Sequence, residues 1–191
     1  STAQIEALTT SQIEKLGTDQ VAALTTAQVK AIATDDLAKL TTDQIKALSS
    51  AQIAALTTDQ VAKLSTDQIQ AITTSALKGL SAANITALTT AQAEKLTTEQ
   101  VAALTNAQVA AIGTDDLQKL GTDQIGALST AQVKALSTAQ IEALTTSQVE
   151  KLGTDQIAAL TTAQVKAIAT EKAMEALLKE EKPGAFYLFS E

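Results

Sequence analysis

The sequence predicts an all-α fold: a solenoid, or superhelix, of very short capped helices, one to each eight-residue unit. Three observations carry this. Leu8, Leu16, Leu24, Ile32, Leu40, Leu48 and Leu56 recur every eight residues, and the series runs on to Leu152, Leu160 and Ile168. Ile or Val commonly stands three residues before these positions, as Val21 does before Leu24. Thr-Thr or Gly-Thr opens unit after unit, with Gln at the fourth position.

The geometry of eight excludes the simpler folds. Eight residues make about 2.2 turns of α-helix, so an unbroken helix would rotate its apolar pair by roughly 80° per unit. That stripe would spiral and never face one partner. A strand puts residues three apart on opposite faces, whereas a helix puts them on one. A helix ended and restarted in each unit remains. Written from the first residue, the unit is T/S/G–T–x–Q–I/V–x–A/K–L, and residues 1–168 hold 21 of them.

The restart chemistry allows two phases, one residue apart. With the N-cap at position 1, Gln lies at N3 and completes a capping box, and Leu8 and Ile13 form a hydrophobic staple around Thr9 and Gln12. With the N-cap at position 2, Gly17, Gly113, Gly121 and Gly153 end the preceding helices in the left-handed region. The regular Gln favours the first phase and the more regular Thr at position 2 favours the second. Charge suits both. Asp19, Asp43, Asp59, Asp67, Asp123 and Asp155 fall in first turns, and Lys15, Lys39, Lys63, Lys95, Lys119 and Lys151 in last turns, as the helix dipole prefers.

A helix of about six residues is not stable alone in water. Stability must come from stacking, with a continuous Leu/Ile/Val seam as core and alanines at positions 6 and 7 allowing close approach. Gln has two readings: a plain cap, or a buried ladder bonding the backbone of the adjacent coil.

A longer period overlies the short one. Ile32 to Leu37, Ile72 to Leu77 and Ile112 to Leu117 each carry a closing Ile, lose the Gln and place Leu where Ile or Val usually stands. They are 40 residues, or five units, apart. Either a five-unit block was duplicated, or five units complete a whole number of coils. Residues 1–34 nearly copy residues 137–170, which supports internal duplication.

The repeat occupies residues 1–170. Residues 171–182 read as an amphipathic helix, with Ala173, Met174, Leu177 and Leu178 on one side, capping the last coil until Pro183-Gly184 breaks it. Residues 183–191 form a tail holding all three aromatic residues. Phe186, Tyr187, Leu188 and Phe189 are the candidate docking residues, since aromatics dominate interfaces. They fold back on the cap, bind the open face of the next chain's first unit in a head-to-tail contact, or belong to an appended segment.

Composition removes whole mechanisms. All basic residues are lysines, and Arg, His, Cys and Trp are absent. No imidazole base, thiolate, disulfide, thiolate metal site or guanidinium clamp can be built. No catalytic, cofactor-binding or metal site is expected, and the unit offers no unique cleft for tuning pKa values. The formal charge of −7 argues against nucleic acid, which needs a basic face. No apolar run approaches the ~20 residues of a membrane helix. No signal peptide is legible at the start, so a mature form or a part of a longer chain is expected. The lack of cysteine suits a secreted bacterial protein and the cytosol alike.

The segment Leu56-Thr57-Thr58-Asp59-Gln60-Val61-Ala62-Lys63-Leu64 resembles the tandem Leu-Thr-Thr-x-Gln-Ile/Val-x-Ala-Leu arrays of large bacterial secreted or surface proteins. The resemblance covers residues 1–170 and implies an extracellular or cell-surface place, without an assigned activity. The units lack the glycine pairs of the nine-residue calcium repeat, so Asp35-Asp36 and Asp115-Asp116 read as solvated helix starts. The expected function is a non-enzymatic structural spacer or scaffold. The alternatives are a module binding a peptide or polymer along its length, and head-to-tail self-assembly through the tail. An ice-binding threonine array and an engineered repeat are lesser alternatives. Irregular units such as Ser81-Ala82-Ala83-Asn84-Ile85 argue against a consensus design.

Overall fold

A computed structural model describes residues 1–168, which form 21 short α-helices, one for each unit. The chain divides into two compact bodies, Ser1–Leu104 and a second beginning at Thr105. The proposed capping helix at 171–182 and the aromatic tail at 183–191 lie outside the described residues.

The first phase is the right one. In α8 (Thr58–Lys63), Thr57 is the N-cap, with ψ of 161°, and its hydroxyl accepts the Gln60 N–H at 3.1 Å. The Gln60 Oε1 accepts the Thr57 N–H in return at 2.9 Å, closing the capping box. The glycines are therefore N-caps and not left-handed terminators. Gly17 has φ −68° and ψ 155°, and Gly153 has φ −73° and ψ 163°, both extended. Lacking a hydroxyl, these units keep only the Gln half of the box: the Gly17 N–H donates to Gln20 Oε1 at 2.7 Å.

Some helices end where the closing residue turns extended, as α8 does at Leu64 with φ −59° and ψ 141°, and others on a helical C-cap one residue earlier, as at Ala23. The N–H of the closing residue folds back onto the carbonyl three residues earlier, as Leu48 does to Ile45 at 3.1 Å. Two extended residues, positions 8 and 1, then redirect the chain into the next helix. The dipole pattern holds for Asp19, Asp43 and Asp59, all in first turns. The lysines divide: Lys63 and Lys119 sit in last turns, Lys15, Lys95 and Lys151 are C-caps, and Lys39 lies beyond the end of its helix.

In the first body the helices are α1 (Thr2–Glu6), α2 (Thr10–Glu14), α3 (Thr18–Ala22), α4 (Thr26–Ala31), α5 (Thr34–Leu37), α6 (Thr42–Lys46), α7 (Ser50–Ala54), α8, α9 (Thr66–Ala71), α10 (Thr74–Leu77), α11 (Ala82–Thr86), α12 (Thr90–Glu94) and α13 (Thr98–Ala103). Each packs on the helix three units further along: α1 on α4, α2 on α5, and so on to α10 on α13. The second body holds α14 (Asn106–Ala110), α15 (Thr114–Lys119), α16 (Thr122–Gly126), α17 (Thr130–Ala135), α18 (Thr138–Ala143), α19 (Thr146–Glu150), α20 (Thr154–Ala158) and α21 (Thr162–Ile168). The rule is the same there, from α14 on α17 to α18 on α21. Each body is thus a helical solenoid.

The core is the predicted seam. Position 5 is fully enclosed, with Val21, Val29, Ile53, Val61 and Ile69 all at 0% exposure, and position 8 follows closely in Leu40, Leu48, Leu56 and Leu64.

One coil takes 28 residues, which is three and a half units, because bonds between coils recur at that separation. Successive coils are staggered by half a unit, so a helix start lies against the end of a helix in the coil before, as courses of brick are laid. The expectation that five units close a whole number of coils is wrong: 40 is not a multiple of 28. Within the first body the variant units at Ile32 and Ile72 therefore fall at different angles around the coil.

Candidate functional site

The feature that recurs in both bodies is the glutamine. In Gln44 the Oε1 accepts the Thr41 N–H at 2.6 Å. Its Nε2 crosses to the previous coil and donates to the carbonyls of Leu16 at 2.6 Å, Glu14 at 3.2 Å and Ile13 at 3.4 Å. Gln52 does the same with Ser49, Leu24 and Val21. In the second body Gln148 reaches Leu120 at 2.7 Å and Leu117 at 2.8 Å, and Gln164 reaches Leu136 at 2.7 Å. A helix leaves its first N–H groups and last carbonyls unpaired. One amide serves both ends: its oxygen caps the helix it stands in, and its nitrogen caps a helix one coil away. The two readings of Gln, cap and ladder, are both correct and belong to opposite atoms of one group. Among the described residues no buried side-chain nitrogen or oxygen lacks a partner.

The ladder breaks at the variant units. Asp36 replaces Gln and its carboxylate accepts the Thr10 hydroxyl at 2.5 Å, 26 residues back. Ala76 replaces Gln in α10, and there the coils come together tightly. A Cβ on Gly79 would lie 2.2 Å from the Ser50 carbonyl oxygen. The glycine is required by that approach, not by its dihedrals. Asn84, one methylene shorter, keeps the Leu56 carbonyl at 3.1 Å, 28 residues back.

Surface charge is sparse. Lys63–Asp35 at 3.8 Å and Lys151–Asp123 at 3.0 Å link exposed side chains across one coil, again 28 positions apart. Such exposed pairs contribute little. The exposed Glu99 carboxyl is held below its ordinary pKa by its own backbone N–H and the Thr97 hydroxyl. Asp35 and Asp115 are exposed and Asp36 and Asp116 half-buried, and among the described residues no three His, Cys, Asp or Glu side chains group as metal ligands. In the second body an open groove runs between coils, lined by Thr130, Ala131, Lys134, Ala158, Ala159, Leu160 and Thr161. It carries one charged group and no candidate acid–base pair. No described helix is long and apolar enough to cross a membrane. The candidate docking residues Phe186, Tyr187, Leu188 and Phe189 lie outside the described residues.

The Nε2 contacts are the ladder that the sequence offers as its second reading of Gln. Once the capping box uses the Gln oxygen, the nitrogen still needs acceptors in a chain whose every helix end is short of donors.

No curated protein matches the chain. The family model described as the ALTTAQ repeat matches residues 1–26, 29–66, 61–98, 69–106, 109–146 and 142–170 in tandem. With nearly the whole described chain covered, the protein belongs to the ALTTAQ repeat family.

Proposed function

We propose that this chain is a structural spacer, a non-enzymatic scaffold belonging to a bacterial secreted or surface protein. The observation that carries this reading is the uniformity of the coil contact. Gln44, Gln52, Gln60 and Gln68 make the same bonds to carbonyls 28 residues back, at 2.6–2.8 Å. A coil stabilised by the same contact each time can be repeated without redesign, so length becomes the property that sequence sets. An enzyme needs one place unlike the others; of the departures from the pattern, Ala76 and Asn84 carry no acid–base group, and Asp36 accepts the Thr10 hydroxyl in a solvent-exposed hydrogen bond.

The test is to lengthen the protein. Seven added Gln-bearing units are 56 residues, two whole coils, and preserve the stagger. Small-angle scattering should show the longest dimension growing by about 16–20 Å, from the ~8–10 Å separation of packed helices. An unchanged dimension contradicts the spacer reading. Extracellular placement is checked separately, by protease access to the repeat on intact cells.

A further inference from the structure

We infer that the unit of residues 73–80 is a built-in bend, which closes one coil junction of the first body on one side and leaves it open on the other. Three residues carry this, each singular for its place in the unit. Ala76 is the only alanine at position 4, Gly79 the only glycine at position 7 and Ser50 the only serine at position 2 of the 21 units. Ala76 and Gly79 fall in one unit. Ser50 lies 29 residues before Gly79, so a coil of 28 residues brings the two side by side, where α7 packs on α10. A Cβ on Gly79 would collide with the Ser50 carbonyl oxygen and crowd the Ser50 hydroxyl. The side chains are thus cut down on both faces of one junction.

The closing is confined to that side. Ala71 and Ala87 hold position 7 one unit before and one unit after Gly79, and both carry a Cβ. Before the gap, Gln68 spans the junction to Leu40 at 2.7 Å. After it, Asn84 is again at hydrogen-bonding distance of Leu56, 3.1 Å, and Gln92 spans to Leu64 at 2.7 Å. Gln92 follows Ala76 by 16 residues, just over half of a 28-residue coil, so this full-length rung stands opposite the missing one. Two stacked coils held at glutamine length on one side and brought to backbone contact on the other form a wedge. The solenoid axis of the first body turns there toward Ser50 and Gly79. Loss of the glutamine alone does not suffice. The unit of Asp36 also lacks it, yet carries Lys39 at position 7, and a side chain there leaves no room for the same approach. A scaffold with a fixed bend sets direction as well as length. That use rests on the spacer reading, whereas the bend itself does not.

The experiment is a crystal structure of the full chain, solved for the native sequence and for the double variant Ala76→Gln, Gly79→Ala. In the native chain the Cα separation of Ser50 and Gly79 should be shorter than those of the equivalent pairs Thr42 and Ala71, Thr58 and Ala87, and Thr66 and Lys95. In the double variant it should lengthen by about 1 Å, enough to seat a Cβ at ordinary contact distance, while the separation of Leu64 and Gln92 stays unchanged. Equal separations across the four native pairs overturn the bend, and so does a double variant that keeps the native spacing. The native separations decide the matter if the double variant does not fold. Urea unfolding of the single variants gives a second readout. Enlarging either residue opens the junction for the other, so Gly79→Ala should lower the urea midpoint no more than about half as much in the Ala76→Gln background as it does alone. The same lowering in both backgrounds means that the two residues share no closed contact, and contradicts the proposal. Both readouts are independent of the lengthening test of the spacer, so the two readings can fail separately.

Discussion

The side-chain amide of Gln52 donates to the Leu24 carbonyl, 28 residues earlier, at 2.8 Å, while its oxygen accepts the Ser49 N–H at 2.8 Å. The group is 3% exposed, so neither bond is replaced by water when lost. Gln52→Glu keeps the oxygen and removes the donor. It also sets a carboxylate against carbonyl oxygens. Loss of at least about 2 kcal/mol is expected, since a buried charge without a partner is costly. Burial raises the folded-state pKa above the unfolded value, so the folded state holds its proton longer. The deficit should therefore shrink as pH falls from neutral, as protonation restores a donor. Urea unfolding at neutral and acidic pH checks both the size and the sign.

Leu88 is 7% exposed in the seam. Leu88→Ala should cost ~2–5 kcal/mol through the cavity it leaves. Thr57→Ala, removing one cap hydroxyl, should cost ~0.5–2 kcal/mol. Equal and negligible shifts in thermal melting would mean that the seam is not the core.

Gly79 and Gly126 separate a backbone limit from a side-chain one. A Cβ at Gly79 meets the Ser50 carbonyl oxygen at 2.2 Å, whereas at Gly126 the nearest atom is Cγ of the exposed Lys151 at 3.2 Å. Gly79→Ala should destabilise by ~1–3 kcal/mol, as overpacking does. Gly126→Ala should be tolerated, because the lysine can move. Comparable melting of the two variants would contradict the close approach.

Asn84 holds one carbonyl of the previous coil where a Gln holds two or three. Asn84→Gln should stabilise by roughly 0.5–1.5 kcal/mol, the net value of a hydrogen bond. A loss in the midpoint of denaturant unfolding would show that the site is shaped for the shorter side chain.

The fold was legible wherever it is local. Thr57, Gln60, Val61 and Leu64 state a capped helix with one apolar pair, because capping and helical spacing act within eight residues. The phase was ambiguous because Thr57 and Thr58 are both able caps. The ambiguity ends once the extended backbone of Gly17 is seen. The coil length was not legible. It depends on the turn made by two extended residues and on the reach of Gln44 to Leu16, and neither leaves a mark in a sequence of period eight. The five-unit recurrence at Ile32, Ile72 and Ile112 suggested a coil period and has none. Its departures instead mark where the ladder is interrupted, at Asp36 and Ala76.

The half-unit stagger is tested most directly by distances across one coil. The chain has no cysteine, so single spin-label pairs can be placed without background. Residue 35 is exposed and can be paired with residues 59, 63 and 67, all exposed and separated from it by three, three and a half and four units. Electron paramagnetic resonance should find the 35–63 pair the closest of the three, near the ~8–10 Å of packed helices. A shorter 35–59 or 35–67 distance would mean coils of three or four whole units, and the Gln-to-carbonyl ladder could not form as described.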